Sequence, residues 1–476
     1  MQSVEHGLDF KLSQCFGDCS PAEEVTEADI LSAVQFDSTG EYLATGDRGG
    51  RVVVFKQNAP VKQKVSSSGR TRRTSDFKFF TEFQSHEAEF DYLKSLEIEE
   101  KINQVKWCRR AGRALLLLST NDKTIKLWRV REVPNRRVTD PGGASEGGLR
   151  GAAVAAGAAL WGRAPPPKRL TLPRTDQQGN KVCAQPRRVF ANAHAYHINS
   201  VDPSADGEHF LSADDLRINL WSMEVTNRAF TVVDIKPKNM EELKEVITSA
   251  AFHPHQANTF LYSTSRSSIK VADLRQAATC DRSVRVLEEP ADPANKSFFS
   301  EIVASISDIK LSQCGRMVVA RDYMTLKLWD VRMEARPVKA ISVHEHLRPR
   351  LLDLYENDCI FDKFECAISG TASNVVTGSY NNMCSLYSCH GQGHASLEIT
   401  KDPSRRSSAK KSKRHPVPAG ANGSSAAAAG GPQPGTPAAS AIDFDRKILH
   451  MSWHPRDDII AVAGLNKLYI YTAQKP

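Results

Sequence analysis

Arg316–Asp330 reads RMVVARDYMTLKLWD: a run of β-formers, a tight polar turn, and a second run that closes on Trp329-Asp330. Two β-rich runs on either side of a tight polar turn specify two antiparallel strands. Ile306–Ser312 (ISDIKLS) has the same texture and stands just upstream. The unit is therefore an inner strand, a partner strand and a closing strand. It recurs along the chain, with closing strands Arg51–Phe55 (RVVVF), Thr124–Trp128 (TIKLW), Arg217–Trp221 (RINLW), Ser268–Asp273 (SIKVAD), Thr325–Asp330 (TLKLWD), Met383–Tyr387 (MCSLY) and Lys467–Tyr471 (KLYIY). Each follows a turn rich in Asp, Asn, Gly or Ser, and each partner strand ends near a small residue, as in EYLATG, LLLLST, EHFLSA and IIAVAG. Inner strands read ILSAVQF, INQVKW, ITSAAFHP, ISDIKLS and ILHMSWHP, and only Trp161 of the six tryptophans falls outside the strands.

Seven such units need roughly 300 residues at about 40 to 45 each, which leaves room in 476 for insertions. The fold class this specifies is all-β, a single seven-bladed β-propeller over 8–476. The layout resembles WD repeats, with Trp329-Asp330 intact and Ala272-Asp273 a degenerate copy. An open ring would expose sheet edges. Leu8–Leu12 (LDFKL) is therefore expected to close the ring by pairing outside Lys467–Tyr471. Four insertions interrupt the repeats. Phe77–Glu100 reads as a protruding hairpin arm, and Lys236–Val246 as a short helix capped by Asn239. Residues 132–185 and 402–440 are low-complexity and are expected to be disordered.

The net charge of +8 is unevenly spread. Val61–Arg73 carries +5, Arg131–Arg188 +7 and Lys401–Arg414 +6, which leaves −10 on the rest. An acidic body with basic loops has the wrong sign for gripping phosphate backbones, so no nucleic-acid partner is expected. No apolar stretch reaches the roughly 18 residues a membrane span requires, and no secretory leader pattern is read. The ten cysteines form no Cys-x-x-Cys pair, which points to reduced thiols and a cytoplasmic, possibly also nuclear, location.

Catalytic and metal motifs are equally scarce. Asp214-Asp215 has the composition of a paired-carboxylate site, but it occupies the turn before a closing strand, where Asp is common. His253-Pro254-His255 and His454-Pro455 recur right after an inner strand and read as turns. His344-Glu345-His346 lacks the helical spacing of a zinc protease motif and reads as a surface turn. Cys384, Cys389 and His390 lack a fourth ligand. Lys410–Arg414 (KKSKR) reads as either a nuclear signal or a solvated loop. No phosphate loop, nucleophile elbow or kinase signature is present, so neither an enzyme nor a cofactor is expected.

FQSHEAEFDYLKSLEIEEKIN, LLSTNDKTIKLW, RRVFANAHAYHINS, SADDLRINLW, VDIKPKNMEELKEVIT, FFSEI, LYENDCIFDKFEC, TGSYNN and LHMSWHP are similar to the B-type regulatory subunits of protein phosphatase 2A. That resemblance implies a propeller docked on a HEAT-repeat scaffold subunit, with its top face near the catalytic subunit. It places the scaffold contact on Phe80, Phe83, His86, Glu87, Glu89, Phe90 and Tyr92, with Ala88 standing where the family has proline. It places a groove for basic segments of phosphoprotein substrates on Glu27, Tyr196, Asp215, Leu243, Val246, Tyr355, Glu356, Asp358, Phe361 and Lys363. Leu243 and Val246 are also compatible with the inward face of the short helix. Residues 132–185 depart from the family and precede Tyr196 and Asp215, so they bear on specificity. The expectation is a non-catalytic subunit; the alternative is a WD-repeat adaptor of another complex, such as a ubiquitin-ligase substrate receptor.

Overall fold

A computed structural model describes residues 9–17, 25–58, 61–64, 71–74, 76–92, 95–110, 112, 114–139, 174–280, 284–290, 297–391, 393–399 and 442–474. Ile306–Leu311, Met317–Asp322 and Thr325–Asp330 pair antiparallel, with Val318 opposite Trp329. A fourth strand, Lys339–Ser342, lies outside them. Its alternation of half-buried and exposed residues spans only four positions, too short a signal for a strand to be read from sequence.

Seven four-stranded sheets of this kind are present among the described residues. Blade 1 is Leu31–Phe36, Tyr42–Asp47, Arg51–Gln57 and Phe77–Gln84, and blade 2 is Gln104–Trp107, Leu115–Thr120, Ile125–Thr139 and Arg174–Phe190. Blade 3 is Ser200–Pro203, His209–Ala213, Arg217–Ser222 and Ala229–Asp234, and blade 4 is Ile247–Phe252, Thr259–Thr264, Ile269–Asp273 and Val284–Leu287. Blade 5 has been given. Blade 6 is Cys366–Ile368, Asn374–Gly378, Met383–Ser388 and His394–Glu398. Blade 7 joins Met451–Trp453, Ile459–Gly464 and Lys467–Gln474 to the N-terminal strand Asp9–Phe16, with Leu12 opposite Tyr471. Phe10, 3% exposed, packs edge-on against Trp453 at 5.7 Å.

The core lies between blades. One cluster joins Ala33, Tyr42 and Val54 of blade 1 to Val105, Leu117 and Trp128 of blade 2. Another joins Val376 and Leu386 of blade 6 to Trp453 and Ile460 of blade 7. Small residues at the ends of partner strands let the sheets close up, and Ser119, Ser212 and Ser263 have no exposed surface. Gly40 and Gly315 take φ of +80° and +74°, and a Cβ would sit 1.9 and 2.2 Å from the imidazoles of His454 and His253. Glycine supplies both the left-handed backbone and the close approach.

Two insertions differ from their sequence readings, and a third keeps its expected Asn239 cap on a shorter helix. Phe77–Gln84 is the outer strand of blade 1 and not part of an arm; the true hairpin is Glu89–Asp91 paired with Leu96–Ile98. Lys236–Val246 holds a single 3-10 turn, Met240–Glu242, whose Asn239 side chain accepts from the Glu241 N–H. Both ends of 132–185 are strand: blade 2 continues as an antiparallel ribbon to Thr139 and from Arg174, with Glu132 opposite Val182. Pairing continues there because backbone hydrogen bonds need no apolar side chains. Residues 140–173 and 400–441, Lys410–Arg414 included, lie outside the described residues. No helix among the described residues is long and apolar enough to cross a membrane.

Strand polarity assigns the loops. The connections from one blade to the next, and the turns between second and third strands, share one face, here called upper; the remaining turns share the lower face. Every blade obeys this because its four strands alternate in direction.

Candidate functional site

All ten residues of the expected groove fall on the upper face. Asp215 lies in the second turn of blade 3, and the other nine lie on connections between blades. The densest patch is built by two short helices, α1 (Phe298–Val303) and α2 (Leu351–Glu356). A capping box starts α1: the Ser300 N–H donates to Ser297 Oγ, and the Ser297 N–H to Ser300 Oγ. Leu347, Leu354 and Phe364 are fully buried beneath the patch. The Tyr380 hydroxyl, 2.9 Å from Asp362, and Lys447, 2.5 Å from it, fix the segment that follows.

On this floor stand Phe298, Leu352, Tyr355 and Phe361, which are 66%, 57%, 38% and 55% exposed. Ring centroids lie 5.6 Å apart for Phe298 and Tyr355 and 6.1 Å apart for Tyr355 and Phe361. Glu356 and Asp358 are exposed beside them, Asp358 at φ 57°. A contiguous aromatic patch rimmed by carboxylates is the composition of a protein-docking surface. Phe298, Phe299 and Leu352 escaped the sequence reading; the only signal was the doubled aromatic of FFSEI.

The remaining groove residues surround the patch. Glu27 is exposed and ion-paired with Arg48. Tyr196 is half-buried, as are Leu243 and Val246, which follow the 3-10 turn. Lys363 is exposed. The carboxyl of Asp215 is half-buried; burial pushes its pKa up, against the pull of Lys363. Its neighbour Asp214 is fully engaged. Asp214 accepts from the backbone N–H of Leu216 and Arg217 at 2.8 and 2.7 Å and contacts His194 Nδ1 at 2.9 Å. Burial raises that carboxyl, but these hydrogen bonds outweigh it and hold the pKa below the usual carboxylate range. The pair is one structural and one accessible acid, not a dyad.

The expected scaffold contact divides in two. Glu87 and Glu89 are exposed, and Phe90 and Tyr92, 45% and 85% exposed, meet edge-on at 4.9 Å on the hairpin. His86 is only 1% exposed, its Nδ1 3.1 Å from Ser85 Oγ, and burial pushes its pKa down to about 3. It offers nothing to a partner. Phe83 lies tilted against Trp128 at 4.3 Å and Phe80 edge-on against Tyr42 at 5.4 Å, and both pack on the core cluster shared by blades 1 and 2. Nothing in the sequence separates these three from the hairpin, because the outer strand runs almost directly into it.

The histidine turns are hydrogen-bonded turns. Nδ1 of His253 accepts from the N–H groups of His255 and Gln256, and Nδ1 of His454 from those of Arg456 and Asp457. His344 is not in a surface turn as expected: it is fully buried, its ring held by the Tyr323 carbonyl, Ser379 and Arg321. Burial raises the Cys384 and Cys389 thiols, the latter to about 11. No group of three or more potential metal ligands exists among the described residues.

A ring of seven four-stranded sheets, with an aromatic patch rimmed by carboxylates on its upper face, defines a WD-type β-propeller. The WD domain, G-beta repeat family matches residues 184–222. The β-propeller domain of Cps50 (Swd1) from Myceliophteria thermophila superposes with a TM-score of 0.53 at 12% identity, covering 98% of this chain and all of that one, a likeness of fold. Sequence relatives go further. The regulatory B subunit of protein phosphatase PP2A from Schizosaccharomyces pombe is 48% identical over 99% of this chain and 100% of its own. The beta isoform of the 55 kDa regulatory B subunit of serine/threonine protein phosphatase 2A from Arabidopsis thaliana is 48% identical, covering 98% and 97%. The alpha isoform from Oryza sativa is 45% identical, covering 98% and 85%. The chain belongs to the family of 55 kDa regulatory B subunits of protein phosphatase 2A. These are named regulatory, not catalytic, subunits, and the chain is not itself an enzyme.

Proposed function

We propose that this chain docks on the HEAT-repeat scaffold subunit of protein phosphatase 2A and holds phosphoproteins with basic segments close to the catalytic subunit. The observation that carries this is the upper face, where Tyr355, Phe361 and Phe298 form an apolar anchor and Glu356, Asp358 and Asp215 supply carboxylates. Buried aromatics give a docking surface most of its affinity, while charge sets encounter rate and selectivity. Glu27, Tyr196, Leu243, Val246 and Lys363 complete the groove. Scaffold docking falls to Glu87, Glu89, Phe90 and Tyr92, with Phe80, Phe83 and His86 supporting the hairpin from below. Free thiols such as Cys108, Cys366 and Cys384 suit a reducing compartment, the cytoplasm or the nucleus.

The test is affinity purification of the tagged full chain. Scaffold and catalytic subunits should be recovered, and Phe90→Asp combined with Tyr92→Asp should lose both without lowering the melting temperature. Recovery of ubiquitin-ligase subunits in their place would overturn the reading.

A further inference from the structure

A hollow of about 120 Å³ opens on the upper face between blades 6 and 7 and shares no residue with the groove. Three segments wall it: the blade 6 turn that ends at Asn382, the connection that carries Arg446 into blade 7, and the blade 7 turn that bears Asn466 and Lys467. Ile399 and Tyr469 add apolar surface. No carboxylate among the described residues lines it.

Backbone hydrogen bonds fix these walls. The Asn382 N–H donates to the Arg446 carbonyl at 2.9 Å, the Ile399 N–H to the Asn382 carbonyl at 2.8 Å, and the Leu31 N–H of blade 1 to the Leu465 carbonyl at 2.9 Å. Tyr469 is buried behind them. The polar side chains are by contrast left to act. Asn382, Asn466 and Lys467 are half-buried, and their side chains make no hydrogen bond and no ion pair among the described residues. Arg446 has one carboxylate partner, Asp443 at 3.2 Å, with the two side chains 57% and 44% exposed. An exposed pair of this kind is weak and engages only one edge of the guanidinium.

A guanidinium, an ammonium and two carboxamides thus border one small volume from three segments of chain, with no acceptor in the wall to match them. An anion with oxygens on every side satisfies such donors together, and charge-assisted hydrogen bonds are the strong ones. Phosphate has that shape, whereas a planar carboxylate presents its oxygens on one side only. The volume admits one such group and excludes a nucleotide. We propose that this hollow binds a single phosphate group, either free inorganic phosphate or the phosphate of a phosphorylated side chain. A phosphorylated client would there be gripped by one phosphate while another is hydrolysed; that consequence rests on the function proposed above, and the hollow itself does not.

Trace acetylation of the full chain, mapped by mass spectrometry, tests the hollow directly. Replacing chloride by inorganic phosphate at constant ionic strength should protect Lys467 several-fold relative to the exposed Lys238; equal labelling of Lys467 in the two salts overturns the site. Titration calorimetry with inorganic phosphate and with N-acetyl-phosphoserine amide assigns the source. Tighter binding of the phosphoserine amide marks a phosphorylated side chain, tighter or equal binding of inorganic phosphate marks the free ion, and binding of neither overturns the proposal. Affinity for the better probe should fall on the order of tenfold in Lys467→Gln and in Arg446→Gln, the loss that one hydrogen bond to a charged group implies, and persist in Lys467→Arg. Unchanged affinity in either glutamine variant overturns the assignment of these residues. Neither measurement uses a basic peptide, so failure of the groove would leave both intact.

Discussion

At the scale of single residues, buried polar groups divide into those that hold turns and those left to act. In blade 3, His194 Nε2 lies 2.6 Å from Ser212 Oγ, the Trp221 indole N–H donates to the same oxygen at 2.8 Å, and Asp214 orients the imidazole. Because the Asp214 pKa is depressed in the folded state, the stability it contributes is present above its unfolded pKa of about 3.9 and is lost as pH falls through the lower folded value. Asp214→Asn should therefore lower the melting temperature at pH 7 and lessen its drop between pH 5 and 3, read by circular dichroism. Asp215→Lys should spare scaffold binding and weaken capture of a basic peptide at least tenfold by fluorescence anisotropy; equal loss of both would make the residue structural. The turn role of Asp214 was legible because Asp before a closing strand is a local signal. The burial of His86 was not, since it depends on blade 2 arriving from 30 residues further on.

Elements show where local patterning stops informing. Closing and partner strands were readable, because they are buried between neighbouring blades, partner strands such as Tyr42–Asp47 and Ile459–Gly464 along their whole length. Outer strands were mostly missed, since one edge meets solvent and half their residues are polar. Phe83 marks the boundary: Phe83→Ala should cost about 2 kcal/mol in chemical denaturation, less than the 3 to 5 typical of a wholly buried ring, because it lines the junction with Trp128. Removing Asp9–Phe16 leaves the edge of Lys467–Gln474 bare and Trp453 without Phe10. A fall of roughly 5 °C or more in melting temperature is expected, and an unchanged transition would show that the pairing contributes nothing.

Across the whole molecule, the two faces divide the work. The blade 2 ribbon turns back between a third and a fourth strand, so Thr139 and Arg174 leave from the lower face, away from Tyr196 and Asp215. Its sequence position just ahead of those residues suggested a bearing on specificity, but chain order and spatial order part company in a ring. Replacing 140–173 by a short Gly-Ser linker should leave affinity for a basic peptide within twofold, measured by anisotropy. The groove itself was legible only through resemblance. No local pattern announces that Phe298, Tyr355 and Phe361, more than 60 residues apart from first to last, share one patch.

The pairing of Asp9–Phe16 with Lys467–Gln474 also has a temporal side. A ribosome adding roughly 5 to 20 residues per second finishes the later strand tens of seconds after the earlier one has emerged. Throughout that interval six sheets can form while the seventh stays incomplete, and the waiting segment offers an unpaired backbone to any nascent neighbour. Cellular folding of this chain should thus be gated by its final stretch of translation, and a holdase that shields the early strand should raise the yield more than one that acts after release.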